Sequence, residues 1–392
     1  MKGRRSAFVV ACLLHAVVIG GGYMSLPPLF APMASAGWDA TGLQQAWAAI
    51  PLGSILGALV AARCVKRWGM LKVVTSTSVL AAVAILARAG TSNIGGLSVT
   101  LAIYGAATGA LLATLTTVVG QLAEVHRSGL AQGVFFGSYA LGAAVALVGA
   151  EATVRHFDWK MVCLITGSAS LLLALMSGRA EHFALKSVDV AHEPLSVVRS
   201  REAGRLSLRY SAAYAAYVGG YLALAGLLPY QLEGWGWPRD SASLSLAITT
   251  LAFLVGAGIW TAITDARGKR RTVFTLTMLV SGAATAAIVP LAGTQPNALA
   301  WTSIVTVGLF SGGMGVFFPM LLGDERLGPL RGSISIGHAT AASYVGGAAV
   351  PFLFANLSMA HPELSIILFG VTIALAGVLA PKGMRKMPSR PI

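Results

Sequence analysis

Charged side chains in this chain are confined to short stretches, and between them run long segments that carry none. Residues 6–38, 40–62, 73–87, 89–123, 128–150, 161–178, 210–232, 241–264, 272–323, 332–362 and 364–381 contain no Asp, Glu, Lys or Arg. Hydrophobic residues make up 56% of the 392 and charged ones only 11%, against roughly 25% charged in a water-soluble domain. Lipid is therefore the expected solvent for most of the surface. A bilayer offers backbone groups no hydrogen bonds, which leaves helices or a closed barrel as spanning elements. The runs are continuous rather than alternating over about ten residues, so helices of about 20 residues fit them. Segment 272–323 is too long for one such helix, and Gly293-Thr294-Gln295-Pro296-Asn297 divides it, which predicts twelve spans. The expected fold class is an all-α membrane protein.

A net charge of +14 suits a nucleic-acid surface as well as a membrane, and the placement of the basic residues decides between them. With the N-terminus in the cytoplasm, 24 of the 28 Lys and Arg residues fall on that side; the four opposite are Arg88, Arg155, Lys160 and Arg239. The positive-inside rule then places both termini in the cytoplasm. No nucleic-acid partner is needed to explain the charge, and no basic residue is expected deep inside the membrane. The start resembles a secretory leader, with Lys2, Arg4 and Arg5 before an apolar stretch and Ala34-Ser35-Ala36. That stretch is longer than the usual 7 to 15 residues, however, and its removal would leave eleven spans. Cys12, Cys64 and Cys163 suggest neither a disulfide nor a metal site.

The one sizeable polar segment divides the chain into residues 1–178, a cytoplasmic loop 179–209 and residues 210–392, with six spans on each side. Internal repetition supports this division. Arg127, Gly133 and Gly142 in span five recur as Arg331, Gly337 and Gly346 in span eleven at an offset of 204. Lys66-Arg67-Trp68-Gly69 after span two corresponds to Asp265-Ala266-Arg267-Gly268 after span eight at an offset of 199. Similar offsets in two places indicate duplication, a common origin of transporter folds.

Asp265-Ala266-Arg267-Gly268-Lys269-Arg270-Arg271 resembles the D-x-x-G-[RK]-[RK] cytoplasmic signature of the major facilitator superfamily, and Asp158-Trp159-Lys160 resembles its W-[RK] start of span six. Span count, halves and loop positions extend the resemblance over the whole chain. It implies a solute transporter of the bacterial inner membrane, with no cofactor, working as a monomer in the lipid bilayer. It also implies conformational gating by Asp265 and Gly268, with Arg127 and Arg331 as partners of the acid. The first-half copy of the signature has Lys66 in place of the acid, span four lacks an embedded Arg, and Gly137-Ser138-Tyr139-Ala140-Leu141-Gly142 lacks a Gly-Pro pair. These departures count against the multidrug antiporter subgroup. Leu26-Pro27-Pro28 and Gly37-Trp38-Asp39 faintly resemble monocarboxylate and oxalate/formate branches.

All fourteen acidic residues lie at span edges or in loops, so the usual intramembrane proton-relay groups are missing. The titratable candidates left are His15 in span one and His338 in span eleven; either can contact substrate, or be a neutral buried imidazole on a backbone carbonyl. Span seven carries Tyr210, Tyr214, Tyr217 and Tyr221 at spacings of 4, 3 and 4, hence on one helical face. Their hydroxyls need partners that lipid lacks, which points either to a substrate path or to bonds between helices. Gln132 and Tyr139 form a smaller face on span five, and Tyr23 and Tyr104 complete the candidate substrate-binding set. Gly20-Gly21-Gly22 and Gly312-Gly313-Met314-Gly315 fall inside apolar spans, with no Walker lysine following them, so close helix packing explains them better than nucleotide binding.

The expected function is movement of a small organic solute by alternating access between the two halves. With no charge expected inside, a neutral, zwitterionic or amphipathic solute suits the site. Efflux of toxic amphipathic compounds and monocarboxylate-like anion transport are the alternatives. A non-transporting receptor is a remote one, and an enzyme is not expected because neither histidine has a nucleophile or carboxylate partner at a sensible spacing.

Overall fold

A computed structural model describes residues 2–122, 128–179 and 201–381. Among the described residues, eleven helices are long and apolar enough to cross a membrane: Arg5–Leu29, Ala49–Trp68, Met70–Arg88, Ile94–Leu122, Ser128–Val154, Trp159–Gly178, Arg201–Pro229, Leu244–Arg267, Arg270–Ala292, Ala298–Leu322 and Pro362–Leu379. The helix Gly328–Ala360 completes the twelve. In chain order these are spans one to twelve, with Gly328–Ala360 as span eleven. The Gly293–Asn297 segment does break the longest charge-free run: Gly293 takes φ 56°, and Asn297 caps span ten by accepting from the Ala300 amide. Span seven is already helical from Arg201, so residues 201–209 of the expected loop belong to it, and 180–200 lie outside the described residues.

Helices in lipid gain little by hiding apolar surface from one another, so their association depends on close packing of backbones across small residues. That packing repeats between the halves. Gly142 sits against the carbonyl of Ala16 in span one, and Gly346 against that of Ala215 in span seven. Gly133 sits against Ala257 in span eight, and Gly337 against Ala58 in span two. In both comparisons the glycines are 204 residues apart and their partners 199 apart. Spans four and ten follow the same rule, with Gly105 on Ile50 and Gly109 on Ser54 matched by Gly308 on Thr249 and Gly312 on Phe253. The duplicated sequence therefore builds two six-helix halves of one design, joined where span five meets span eight and span eleven meets span two.

The two glycine clusters mark the two irregular spans. Span one is a π-helix over His15–Gly21 and ends in a 3₁₀ turn over Pro27–Leu29. Span ten passes through a 3₁₀ turn over Gly312–Val316. In both, glycine lets a neighbouring backbone approach so closely that a Cβ would collide with it: Gly20 with Tyr139, Gly312 with span eight. Irregular helix frees carbonyls from the regular ladder. In span one, Tyr104 donates to the carbonyls of Val18 and Ile19 at 2.9 Å each, and Arg88 donates to that of Gly22 at 3.0 Å.

Arg88 corrects one expectation. It ends span three but is only 1% exposed, with its guanidinium 4.4 Å from the centre of the Tyr104 ring. The interior does hold a charge.

Gly142→Val tests the packing rule, because its side chain would meet the Ala16 carbonyl, a backbone atom that cannot turn aside. Overpacking of this kind is expected to destabilise the protein by about 1–3 kcal/mol, read as a lower unfolding temperature in detergent. Gly149, with open space where a Cβ would stand, should accept Ala with no loss.

Candidate functional site

Five tyrosines converge at the centre of the bundle. Tyr139 of span five lies within electrostatic reach of the hydroxyls of Tyr23, Tyr104, Tyr344 and Tyr221, from spans one, four, eleven and seven. Tyr104 is fully buried behind the others, whereas Tyr23, Tyr139, Tyr221 and Tyr344 keep partial exposure deep in the molecule. The space that these four partly exposed rings face is the candidate chamber. Tyr23 is oriented by Trp47, whose Nε1–H donates to its hydroxyl at 2.9 Å with the rings edge to face. Tyr344 stands within hydrogen-bond reach of Ser54 in the other half.

The span-seven stripe divides along its length. Tyr210 donates to Asp324 Oδ2 at 3.0 Å, Tyr214 is within hydrogen-bond reach of Ser343, and Tyr217 points its hydroxyl at the Ser311 carbonyl at 3.5 Å. All three are buried. Their hydroxyls bond neighbouring helices, and only Tyr221, next to Phe253 and Thr250, reaches the chamber edge. Equal spacing placed the four on one face, but the helices packed against that face change along it.

Neither histidine is placed for proton transfer to a solute. His15 is buried, donates from Nδ1 to the Phe135 carbonyl at 2.8 Å, and stacks on the Phe135 ring at 4.0 Å. It holds span five against the π-helical turn of span one. His338 is exposed, on the face of span eleven that also carries Val345 at 49% and Leu353 at 69% exposure; that is the outer surface of the bundle. Ser335, Thr340, Ser343 and Tyr344 are among the polar residues of span eleven that point inward. Gln132 is buried and donates to the Thr116 carbonyl at 2.9 Å, a bond within its own half.

Below the chamber, toward the turns that carry the basic residues, aromatic rings fill the junction. Phe136 stacks on Phe318 of the other half at 5.4 Å and 3°, and Phe318 meets Tyr214 and Phe317 edge to face. At the end of this plug, Asp265 of span eight accepts from the amides of Gly129 and Leu130, at 3.0 and 2.7 Å. These are free N–H groups of the first turn of span five, where the helix dipole favours a negative charge. Arg270 crosses the same junction, donating to Ser128 Oγ at 2.8 Å and to the Pro319 carbonyl at 3.1 Å, with Asp265 3.7 Å away. Gly268 makes the tight turn possible with φ 65°, and Gly69 does so in the first half with φ 83°. Arg127 lies outside the described residues, and Arg331 is described as part of the span-eleven helix only.

A sequence profile of the Major Facilitator Superfamily matches residues 12–351. The chain belongs to that superfamily. The fold agrees: the outward-conformation structure of the superfamily transporter FucP aligns with TM-score 0.74 at 17% identity, covering 96% of this chain and 98% of that one. A second structure of FucP, the E. coli fucose:proton symporter, aligns with TM-score 0.71 at 17% identity over 95% of this chain and 97% of that one. The proton:xylose symporter XylE, solved with 6-bromo-6-deoxy-D-glucose, aligns with TM-score 0.75 at 16% identity over 97% of this chain and 96% of that one. No curated protein sequence matches. This major facilitator chain is thus a multi-pass membrane transporter of small solutes and not an enzyme.

Two residues of this transporter's interior escaped the sequence reading. Tyr344 shares no helical face with His338, the residue that drew attention to span eleven. Arg88 falls at a charge-free boundary and reads there as an ordinary loop cation. The signal that was present is its place directly after the apolar run 73–87, within side-chain reach of the membrane interior.

Asp265→Ala would leave the Gly129 and Leu130 amides without their acceptor. The Gly129 donor is part-buried and the Leu130 donor exposed, so loss of their acceptor costs about 1 kcal/mol. The variant is expected to unfold at a lower temperature in detergent, while Asp265→Asn, which keeps one acceptor oxygen, should lose less.

Proposed function

We propose that the chain carries a small organic solute across the bacterial cytoplasmic membrane by alternating access, rocking residues 1–178 against 210–392 around a site formed by Tyr23, Tyr139, Tyr221 and Tyr344. The observation that carries this is the meeting of partly accessible phenols from both halves around Tyr139. Rings supply contact area and hydroxyls supply orientation, which suits a compact solute with an apolar body and a polar end. Since two of the four belong to each half, rocking takes the site apart on one side as it assembles on the other. The acidic residues that the spans do carry, Glu151, Glu202, Asp265 and Glu363, all lie in a first or last turn, so a carboxylate proton relay has no group in the middle of the spans. Export of amphipathic compounds uses the same geometry run in the other direction.

In this reading Asp265 and the aromatic plug hold one of the two conformations, so Asp265→Asn changes transport rate more than affinity measured in a fixed conformation. The excess of basic residues supports a cytoplasmic position for both termini and for the segment around Ser187. A cysteine placed at Ser187 should react with an impermeant thiol reagent only after the membrane is opened; labelling of intact cells reverses the orientation.

A thermal-shift screen of purified protein against metabolites finds a ligand by mass action. With that ligand, Tyr221→Phe should weaken binding by about 0.5–1.5 kcal/mol, the worth of one neutral hydrogen bond, with little change in stability. Tyr217→Phe, which loses a contact to the Ser311 carbonyl, should show the opposite pattern. Normal affinity in Tyr221→Phe would remove that residue from the site.

A further inference from the structure

Arg88 is an ionised group buried without an acidic partner among the described residues, and its surroundings leave it half satisfied. Nη1 donates to the Gly22 carbonyl at 3.0 Å. Nε and Nη2, the two nitrogens whose N–H bonds lie parallel on one edge of the guanidinium, are buried and have no partner. Tyr104 covers the guanidinium plane with its centroid at 4.4 Å, and the buried Cys163 thiol stands nearby. No acidic side chain among the described residues pairs with it; the ion pairs of these residues lie elsewhere, at Glu151, Asp265 and Asp324. A buried cation without a counter-ion costs several kcal/mol in a protein interior, and ionisable groups in spans are seldom kept without a function.

The charge is also close to the chamber. The carbonyl it holds belongs to the residue before Tyr23, and the ring it faces belongs to the tyrosine behind Tyr139. In a low-dielectric interior an uncompensated positive charge projects a potential across such distances with little screening, and the free Nε–H/Nη2–H edge has the geometry that accepts a carboxylate bidentately.

We propose that Arg88 selects for a negative charge on the solute, so that the chamber takes amphipathic organic acids, with the apolar body among the phenols and the carboxylate drawn toward the Arg88 edge. This rests on the chamber being the solute site, and it names the class of solute that the phenols leave open. It also replaces the expectation of a neutral solute, which followed from an interior thought to be free of charge.

Benzoate and benzamide provide a test, because they share shape and differ in charge. Binding of each to the full-length protein in detergent is measured by thermal shift and by tryptophan fluorescence. The wild type is expected to prefer benzoate by about tenfold or more. Arg88→Gln should bring the two within about twofold, while Arg88→Lys, which keeps the charge but loses the fork, should retain part of the preference. No preference in the wild type overturns the proposal, and this holds whether or not Arg88→Gln folds. A preference unchanged in Arg88→Gln, or in Arg88→Lys if Arg88→Gln fails to fold, overturns it as well. Tyr221→Phe separates this from the chamber itself: it should weaken both probes alike, and if it weakens neither while Arg88→Gln still abolishes the preference, the phenol site is wrong and the charge selection stands.

Discussion

Close contact between glycine and a facing carbonyl is what the rest of this structure depends on. Lipid chains are as apolar as leucine side chains, so two helices gain little from touching unless their backbones come near enough for dense packing. Gly142 on Ala16 and Gly346 on Ala215 place the fifth helix of each half against its first. Gly133 on Ala257 and Gly337 on Ala58 join the halves. Because both interfaces use matching positions of a duplicated sequence, the halves meet about a pseudo-two-fold axis, and their first, fourth and fifth helices, with their duplicates, surround the centre.

That same closeness accounts for the irregular helices and the polar groups that serve them. A span rich in glycine packs tightly but departs from the regular α ladder, and each carbonyl set free in the membrane needs a donor. Span one obtains Tyr104 and Arg88 as donors, and His15 on its π-helical turn fastens it to span five. The side chains at the centre therefore have two kinds of task. Tyr104, Tyr214, Tyr217, His15 and Gln132 satisfy the fold, and Tyr23, Tyr139, Tyr221 and Tyr344 retain exposure that a solute can use. Arg88 belongs to the first group by its bond to Gly22 and, through its free edge, bears on the second.

At the basic face, Asp265 combines local helix chemistry with the relation between halves. The carboxylate ends one helix and neutralises the amide end of another, so its two bonds persist only while spans five and eight stay in register. The aromatic plug of Phe136, Phe317 and Phe318 lies in the same junction. Hydrogen bonds to a charged acceptor are worth about 1.5–3 kcal/mol, so in the proposed transport cycle they would favour the conformation in which they form without locking it.

From the sequence by itself came the number of spans, the approximate position of each, the duplication and the acid at the turn after span eight. All of these rest on local rules: charge cannot stay in lipid, Gly permits a tight turn, and repeated offsets report repeated structure. What the sequence could not determine is which way a helix faces. In a water-soluble protein the polar side of a helix looks outward and the apolar side inward, but a spanning helix meets apolar surroundings on both sides, so periodicity groups residues without orienting them. His338 and Tyr344 lie on one helix, yet packing against spans two and seven turned the first to the outer surface and the second to the chamber. The span-seven tyrosines share a face but not a neighbour, and Arg88 stands at a helix end from which a long side chain reaches either water or the interior. Only the tertiary structure decided these, because each outcome depends on which helix stands opposite and how near it comes.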